Sequence, residues 1–215
     1  VVCDVDFAQK LLEVVGMYHY TDFERQDVII LASTNKTVNH YQMKLANIIN
    51  PNRHKFIDTS EKETPLFVNG DVVRHRGNVY ESPAEATTQQ TVLLNGTPGV
   101  IVAYDETEHD FQVNFLDRQV GHYNMNKNKN SDLNVELGYI GTVHKSQGSE
   151  AKVVILVVET YKCLVHNWSL LYTAITRAKE KCIIIGPNDV FDYMVSTLGT
   201  KRRTTLNEHC LCNQS

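Results

Sequence analysis

What this chain has little of sets the first limits. No apolar run approaches the ~18 residues of a membrane span, so no membrane partner is expected. Residues 1–6 have neither a basic start nor a long apolar core, and no signal peptide is expected there. The five cysteines, Cys3, Cys163, Cys182, Cys210 and Cys212, are odd in number and scattered. That argues against a disulfide framework and for a reducing, intracellular compartment, cytoplasm or nucleus. Neither sign of charge dominates: the formal net charge is −4, so any surface for a polyanion has to be local. There is no internal repeat, and the pattern G-x-x-x-x-G-K-[ST] is absent, so these residues bring no phosphate-cradling loop of that kind.

What is present suits a globular domain. The 215 residues, 42% hydrophobic, suffice for one sizeable domain or for one domain with a small insert. Residues 4–16 read as a short helix ending at Gly16. Residues 28–32 (VIILA) form a continuous apolar run, which suits a strand buried on both faces. A helix is expected over 37–49, with Val38, Tyr41, Leu45 and Ile48 three or four apart, stopped by Asn50-Pro51. From 66 to about 119 the texture changes to short alternating segments and turn clusters, such as Phe111, Val113 and Phe115 interleaved with Gln112 and Asn114. A polar stretch over 124–132 reads as a return loop. The α/β character then resumes: a strand within 138–142, a buried strand over 153–158, a helix over 168–179, a buried strand over 181–185 and a last helix over 189–198. Apolar strands alternating with helices predict a parallel sheet covered on both faces.

Two blocks stand out, TVHKSQGSE at 142–150 and LLYTAITRAKEK at 170–181. The first lies where a strand gives way to a polar loop, the place where open α/β sheets bind ligands. In the second, at about 100° per residue, Leu170, Leu171, Ala174, Ile175 and Ala178 fill one helical face and Arg177 falls at its rim. There its stem can lie on the core while the guanidinium reaches out. A plainer role for Arg177 is a surface ion pair with Glu180 one turn on.

The order of these blocks resembles two consecutive motifs of superfamily 1 helicases, the RecD-like branch most closely, and the resemblance covers nearly all of residues 27–186. It implies a RecA-like second motor domain of the P-loop NTPase type over 27–65 and 133–198. Residues 1–26 would be an N-terminal helix or linker, 66–132 a small antiparallel β-barrel insert with its return loop, and 199–215 a tail. It implies that Thr142, His144 and Lys145 lean toward nucleic acid. Gln147, Gly148 and Glu150 would lean toward ATP, with Glu150 on the ribose, and Arg177 would complete the ATP site. Thr34 and Asn35 resemble the family's loop on the phosphates of the bound strand; helix capping is the competing reading. The insert resemblance, at residues 67–76 and 95–100, adds Arg74, His75 and Arg76 as phosphate contacts.

The resemblance further implies ATP and magnesium as cofactors, both requiring a first motor domain that these residues do not include. The expected partners are that domain and single-stranded DNA, with RNA left open. The expected function is the C-terminal part of an ATP-dependent 5′→3′ DNA helicase, inactive by itself. The alternative is a nucleic-acid-binding module without ATPase activity, from a split or decayed helicase. Three further features have plain readings beside functional ones. Asp105-Glu106 is an acidic magnesium pair or a hairpin tip. His209-Cys210-Leu-Cys212 is half a metal site or a tail, and Lys201-Arg202-Arg203 is a basic patch or a solvated cluster.

Overall fold

The computed structural model describes residues 7–53, 67–77, 93–105, 110–116, 120–124, 134–146, 148–158 and 162–199. Two sheets organise them. The first is parallel, of four strands in the order β7-β1-β8-β9: β1 Val28–Ala32, β7 Ile140–Thr142, β8 Ala151–Val157 and β9 Ala178–Ile185. Strand β1 sits inside it, and all five of its residues are buried. Alternate side chains leave opposite faces of a strand, and the packing shows it. Val28, Ile30 and Ala32 of β1, with Ile155 and Val157 of β8, enter one core; Ile29, Leu31, Val154, Leu156 and Val158 enter the other.

Helices cover both faces. The first core takes Leu11, Val14 and Val15 from α1 (Phe7–Val15) and Leu45, Ala46 and Ile49 from α3 (Asn35–Ile49). The short α2 (Tyr20–Glu24) adds Phe23. The second core takes Leu170, Leu171 and Ala174 from α4 (Trp168–Ile175), and Val190 and Met194 from α5 (Asn188–Ser196). This is the RecA-like layered arrangement expected.

The second sheet is antiparallel and curled, in the order β5-β4-β3-β2-β6: β2 Val72–His75, β3 Pro98–Asp105, β4 Asp110–Phe115, β5 Val120–Asn124 and β6 Val135–Leu137. In β4, Phe111, Val113 and Phe115 point inward while Asp110, Gln112 and Asn114 face out, the alternation of a sheet wet on one side. Phe111 stacks on Tyr123 at 5.3 Å and packs on Phe67 at 5.1 Å.

The two sheets meet at a buried polar knot. Arg53, in the 3₁₀ turn Pro51–Arg53 after α3, is fully buried, as is Asp71 just before β2. Arg53 Nε donates to Asp71 Oδ1 at 2.8 Å and its Nη2 to Oδ2. Asn50 Nδ2 (2.8 Å) and the Tyr139 hydroxyl (3.0 Å) also donate to Oδ1, and Val68 N–H to Oδ2 at 2.7 Å. A buried carboxylate is tolerable only when its oxygens are this fully used. Burial, reinforced by Asp71, pushes the Tyr139 phenol well above its ordinary pKa. Residues 50–53 end α3 and Tyr139 lies between β6 and β7, so the knot clamps both passages between the sheets.

Several boundaries differ from expectation. Residues 135–137 pair with β2, so the antiparallel sheet runs beyond 132 and the parallel sheet resumes at Ile140 rather than at 133. The helix expected over 168–179 ends at Ile175, and β9 starts at Ala178 instead of 181, because Ala178 pairs with Ala151 at the head of β8. Helix α3 starts two residues earlier than 37, capped by Thr34, whose Oγ1 accepts from Thr37 N–H at 3.4 Å. The last helix spans Asn188–Ser196 rather than 189–198. The basic run 201–203 and the cysteine pair near the end fall outside the described residues. No helix among the described residues is long and apolar enough to cross a membrane.

Candidate nucleic-acid groove and arginine edge

Parallel strands β1 and β7 end side by side, with Ala32 opposite Thr142. The chain therefore leaves both strands at the same end of the sheet. A groove of about 580 Å³ opens there, between α3 and the antiparallel sheet. One bank is α3, with Asn35, Asn39 and Gln42 spaced to share one face. The other bank carries Arg74, Arg76, Glu136 and Lys145, and Ile140, Gly141 and Thr142 lie between.

Asn35, Thr142 and Lys145 line this groove. Thr142 is largely buried, and its Oγ1 accepts from Lys145 N–H at 3.3 Å, which fixes the turn. The Lys145 ammonium meets Glu136 at 2.9 Å, and Arg76 meets the other oxygen of Glu136 at 3.5 Å. His144 is exposed but does not line the groove. Thr34 serves as the helix cap. His75 departs from expectation: it is buried inside the antiparallel sheet, edge-on to Phe115 and 3.2 Å from the Tyr123 hydroxyl, so it cannot offer itself to a phosphate. Burial lowers the His75 pKa, and it pushes the Tyr123 phenol up to about 12. Arg74 is also nearly buried, and desolvation lowers its pKa against the opposing pull of Glu136.

The same loop ends at a second place. Beyond Thr142 it runs through tight turns: Ser146 Oγ donates to Val143 O, and Ser149 N–H and Oγ both donate to Ser146 O. Gly148 stands at φ +92°, a conformation that costs any other residue strain, with nothing within 4 Å of where a Cβ would sit. Its neighbour Gln147 lies outside the described residues.

At Ser149 the loop meets Arg177. Arg177 Nη1 donates to Ser149 O at 3.3 Å, Nε to Thr173 O at 3.2 Å, and Nη2 to Thr176 Oγ1 at 3.4 Å. Arg177 thus sits in the turn between α4 and β9, not on a helical face, so the angular placement does not hold. Its half-exposed guanidinium is held by main-chain carbonyls, and among the described residues it makes no ion pair with Glu180. Beside it Lys179 meets Glu150 at 3.4 Å, both well exposed.

Sequence reasoning overlooked three residues here. Gln42 was legible in its spacing from Asn35 and Asn39. Glu136 had no sequence signal, since its strand is three residues long. His166, fully buried, has its Nε2 2.8 Å from Ser33 Oγ and so ties the turn after β1 to the loop before α4, from 133 residues away. Asp105 ends β3 opposite Asp110 at the start of β4, as a hairpin requires. Among the described residues, no group of three or more His, Cys, Asp or Glu could hold a metal ion.

A parallel sheet covered by helices on both faces, with a curled antiparallel sheet beside it, defines a RecA-like fold. Comparison with known proteins agrees. Residues 137–185 match the UvrD-like helicase C-terminal domain family. The chain is 33% identical over 76 residues to the ATP-dependent RecD2 DNA helicase of Deinococcus radiodurans, covering 35% of this chain and 11% of that protein. It is 24% identical over 190 residues to an uncharacterized protein of Methanocaldococcus jannaschii, covering 81% of this chain and 16% of that protein. The fold matches Bacteroides Pif1 bound to ssDNA (TM-score 0.51, 14% identity, 95% of this chain and 50% of that one). It also matches Bacteroides Pif1 helicase in complex with ADP-AlF3 and ssDNA (TM-score 0.50, 12% identity, 96% and 50%). The chain therefore spans about half of those structures and under a fifth of the curated relatives. Over residues 137–185 it is similar to a helicase C-terminal domain, and its fold is RecA-like.

Proposed function

We propose that this domain is the second half of an ATP-driven motor that moves 5′→3′ along single-stranded DNA. Single observation carries the reading: one short loop begins in the groove, at Thr142, and ends against the guanidinium of Arg177. A strand in the groove and a nucleotide at the arginine edge would share that loop, and motion in one would be felt in the other.

In this reading Thr142, Asn35 and Lys145 hold the strand at its phosphates, with His144 and Thr34 beside them. The residues at the arginine edge fit part of a nucleotide site. Gly148 lets the main chain approach a ligand closely, Glu150 suits the ribose hydroxyls, and Gln147 adjoins them in sequence. ATP supplies the phosphoryl group to be transferred. Arg177 offers paired, permanently charged donors to its oxygens as charge develops on them. The phosphate loop and the magnesium carboxylates come from a first motor domain, in cis or in trans, so these 215 residues alone do not turn over ATP.

The test is Arg177→Lys in a motor completed by a phosphate-loop domain. Lysine keeps the charge but loses the fork of donors. ATP turnover should fall by about 10³–10⁵, the range of an arginine finger, with single-strand binding and thermal stability retained. Turnover within a few-fold of the parent returns Arg177 to a structural role.

A further inference from the structure

We infer that Arg74 and Gln42 form a seat for one backbone phosphate of a single strand, on the floor of the groove between α3 and the antiparallel sheet. This rests on the reading of the groove as the strand's path; it adds Gln42, and gives Arg74, expected only as a general phosphate contact, a partner and a defined place.

The two side chains converge on adjacent residues. Gln42 Oε1 accepts from Ile140 N–H at 3.2 Å. The Arg74 guanidinium lies over the next residue, Gly141, with its Cζ, Nε and Nη1 within 4.0 Å of where a Cβ would be. Both line the groove. Each keeps donors unused. Gln42 Nε2 is buried and has no hydrogen-bond partner. Arg74 is only 8% exposed, and its one hydrogen bond among the described residues runs from Nε to Gly138 O at a long 3.5 Å. No carboxylate touches it directly there; Glu136 is committed to Lys145 and Arg76.

A buried cation without a contacting anion and a buried amide N–H without an acceptor are both costly. In the lining of one groove, beside consecutive residues of β7, they call for the same thing: an anionic oxygen that accepts from both. A phosphate diester offers two such oxygens, and guanidinium geometry suits it. Gln42 adds a neutral donor at fixed distance, because its other end is anchored on Ile140. Phe67, Val38 and Leu137 give the groove apolar walls. Such walls suit sugar and base more than a free inorganic ion.

The experiment uses the 215-residue chain and a labelled oligothymidylate, with binding followed by anisotropy across a salt series. Gln42→Glu keeps the acceptor for Ile140 N–H and replaces the spare donor with a negative oxygen. It should lower affinity roughly tenfold or more, with the melting temperature equal to the parent's or higher. Arg74→Met should flatten the slope of log affinity against log salt by about 0.7, the share of one phosphate on a single strand, and Arg74→Lys should keep that slope. If Arg74→Met does not fold, the DNA side still decides. Oligonucleotides with one neutral methylphosphonate, placed at each position in turn, should reveal one linkage whose loss weakens the parent but not Gln42→Glu. Parent-like binding by Gln42→Glu, or losses that simply add at every linkage, overturns the phosphate seat while leaving the groove assignment standing. A parent chain that binds no oligothymidylate overturns both.

Discussion

The parallel and antiparallel sheets of this domain are held together by different means. In the parallel sheet, β1 and β8 are apolar along nearly their whole length and send alternate residues into two separate cores. Nothing polar is needed inside, because helices cover both faces. The antiparallel sheet has one inner face, filled mainly by aromatic and β-branched residues, and it also encloses His75. Its inner residues, such as Val72, Phe111 and Leu137, share one apolar core with Val28, Ile30 and Ile155 of the parallel sheet, and the polar network of Arg53, Asp71, Asn50 and Tyr139 adds directional bonds to that join. Apolar packing therefore runs through both sheets, and the join between them adds a buried network of directional bonds. The groove lies beside this join, between α3 and the antiparallel sheet.

The sharpest way to break this comparison is to remove Asp71. Asp71→Ala leaves Arg53 buried without its counter-charge and should cost about 3–5 kcal/mol in urea melts. A cost near zero would mean that apolar packing alone sets the join. A milder probe lies in the parallel sheet. Ile155→Val removes one methylene from a fully buried position in β8 and should cost about 0.5–1.5 kcal/mol. A larger loss would show that this sheet, too, depends on one tight contact. The smallest effect concerns pH. Burial holds the His75 pKa below its ordinary value, so the unfolded chain takes up the proton first, near pH ~6.5. Stability from neutral His75 is therefore present above that pH and is lost as pH falls from there toward the folded-state pKa. Thermal melts of the parent should fall more steeply from pH 8 to 5 than those of His75→Phe. Equal slopes would place the acid sensitivity elsewhere.

The two sheets also differed in how well they could be read from sequence. Strands β1 and β8 were legible because they are unbroken apolar runs, and β4 because it alternates strictly. Strand β6 was not, because three residues cannot display a period and its pairing partner lies about sixty residues earlier. The helix before Arg177 was read too long for a related reason. Ala-Ile-Thr-Arg-Ala-Lys carries no local stop signal, and what ends the helix is the pairing of Ala178 with Ala151. The helical angle read for Arg177 was thus wrong, since it stands in the turn between α4 and β9. Of the residues that line the groove, Asn35, Thr142 and Lys145 belong to motifs visible in the sequence. Gln42 and Glu136 belong to the site only because folding brings α3 and β6 to the same edge. The Arg53–Asp71 pair spans two texturally different segments, and nothing in either announces the other.

The position of β1 in its sheet has a consequence in time. Both of its neighbours come late: β7 begins roughly a hundred residues downstream and β8 later still. At synthesis rates of about 5–20 residues per second, β1 waits on the order of ten seconds before either edge can pair. During that wait an apolar strand with two open edges is a target for mispairing. The antiparallel sheet, contiguous from Val72 to Leu137, can form while β1 waits, and the knot at Asp71 gathers residues 50–53 beside it. Assembly on the ribosome would then run in the order insert, join, parallel sheet, with β1, made before the insert, paired after it.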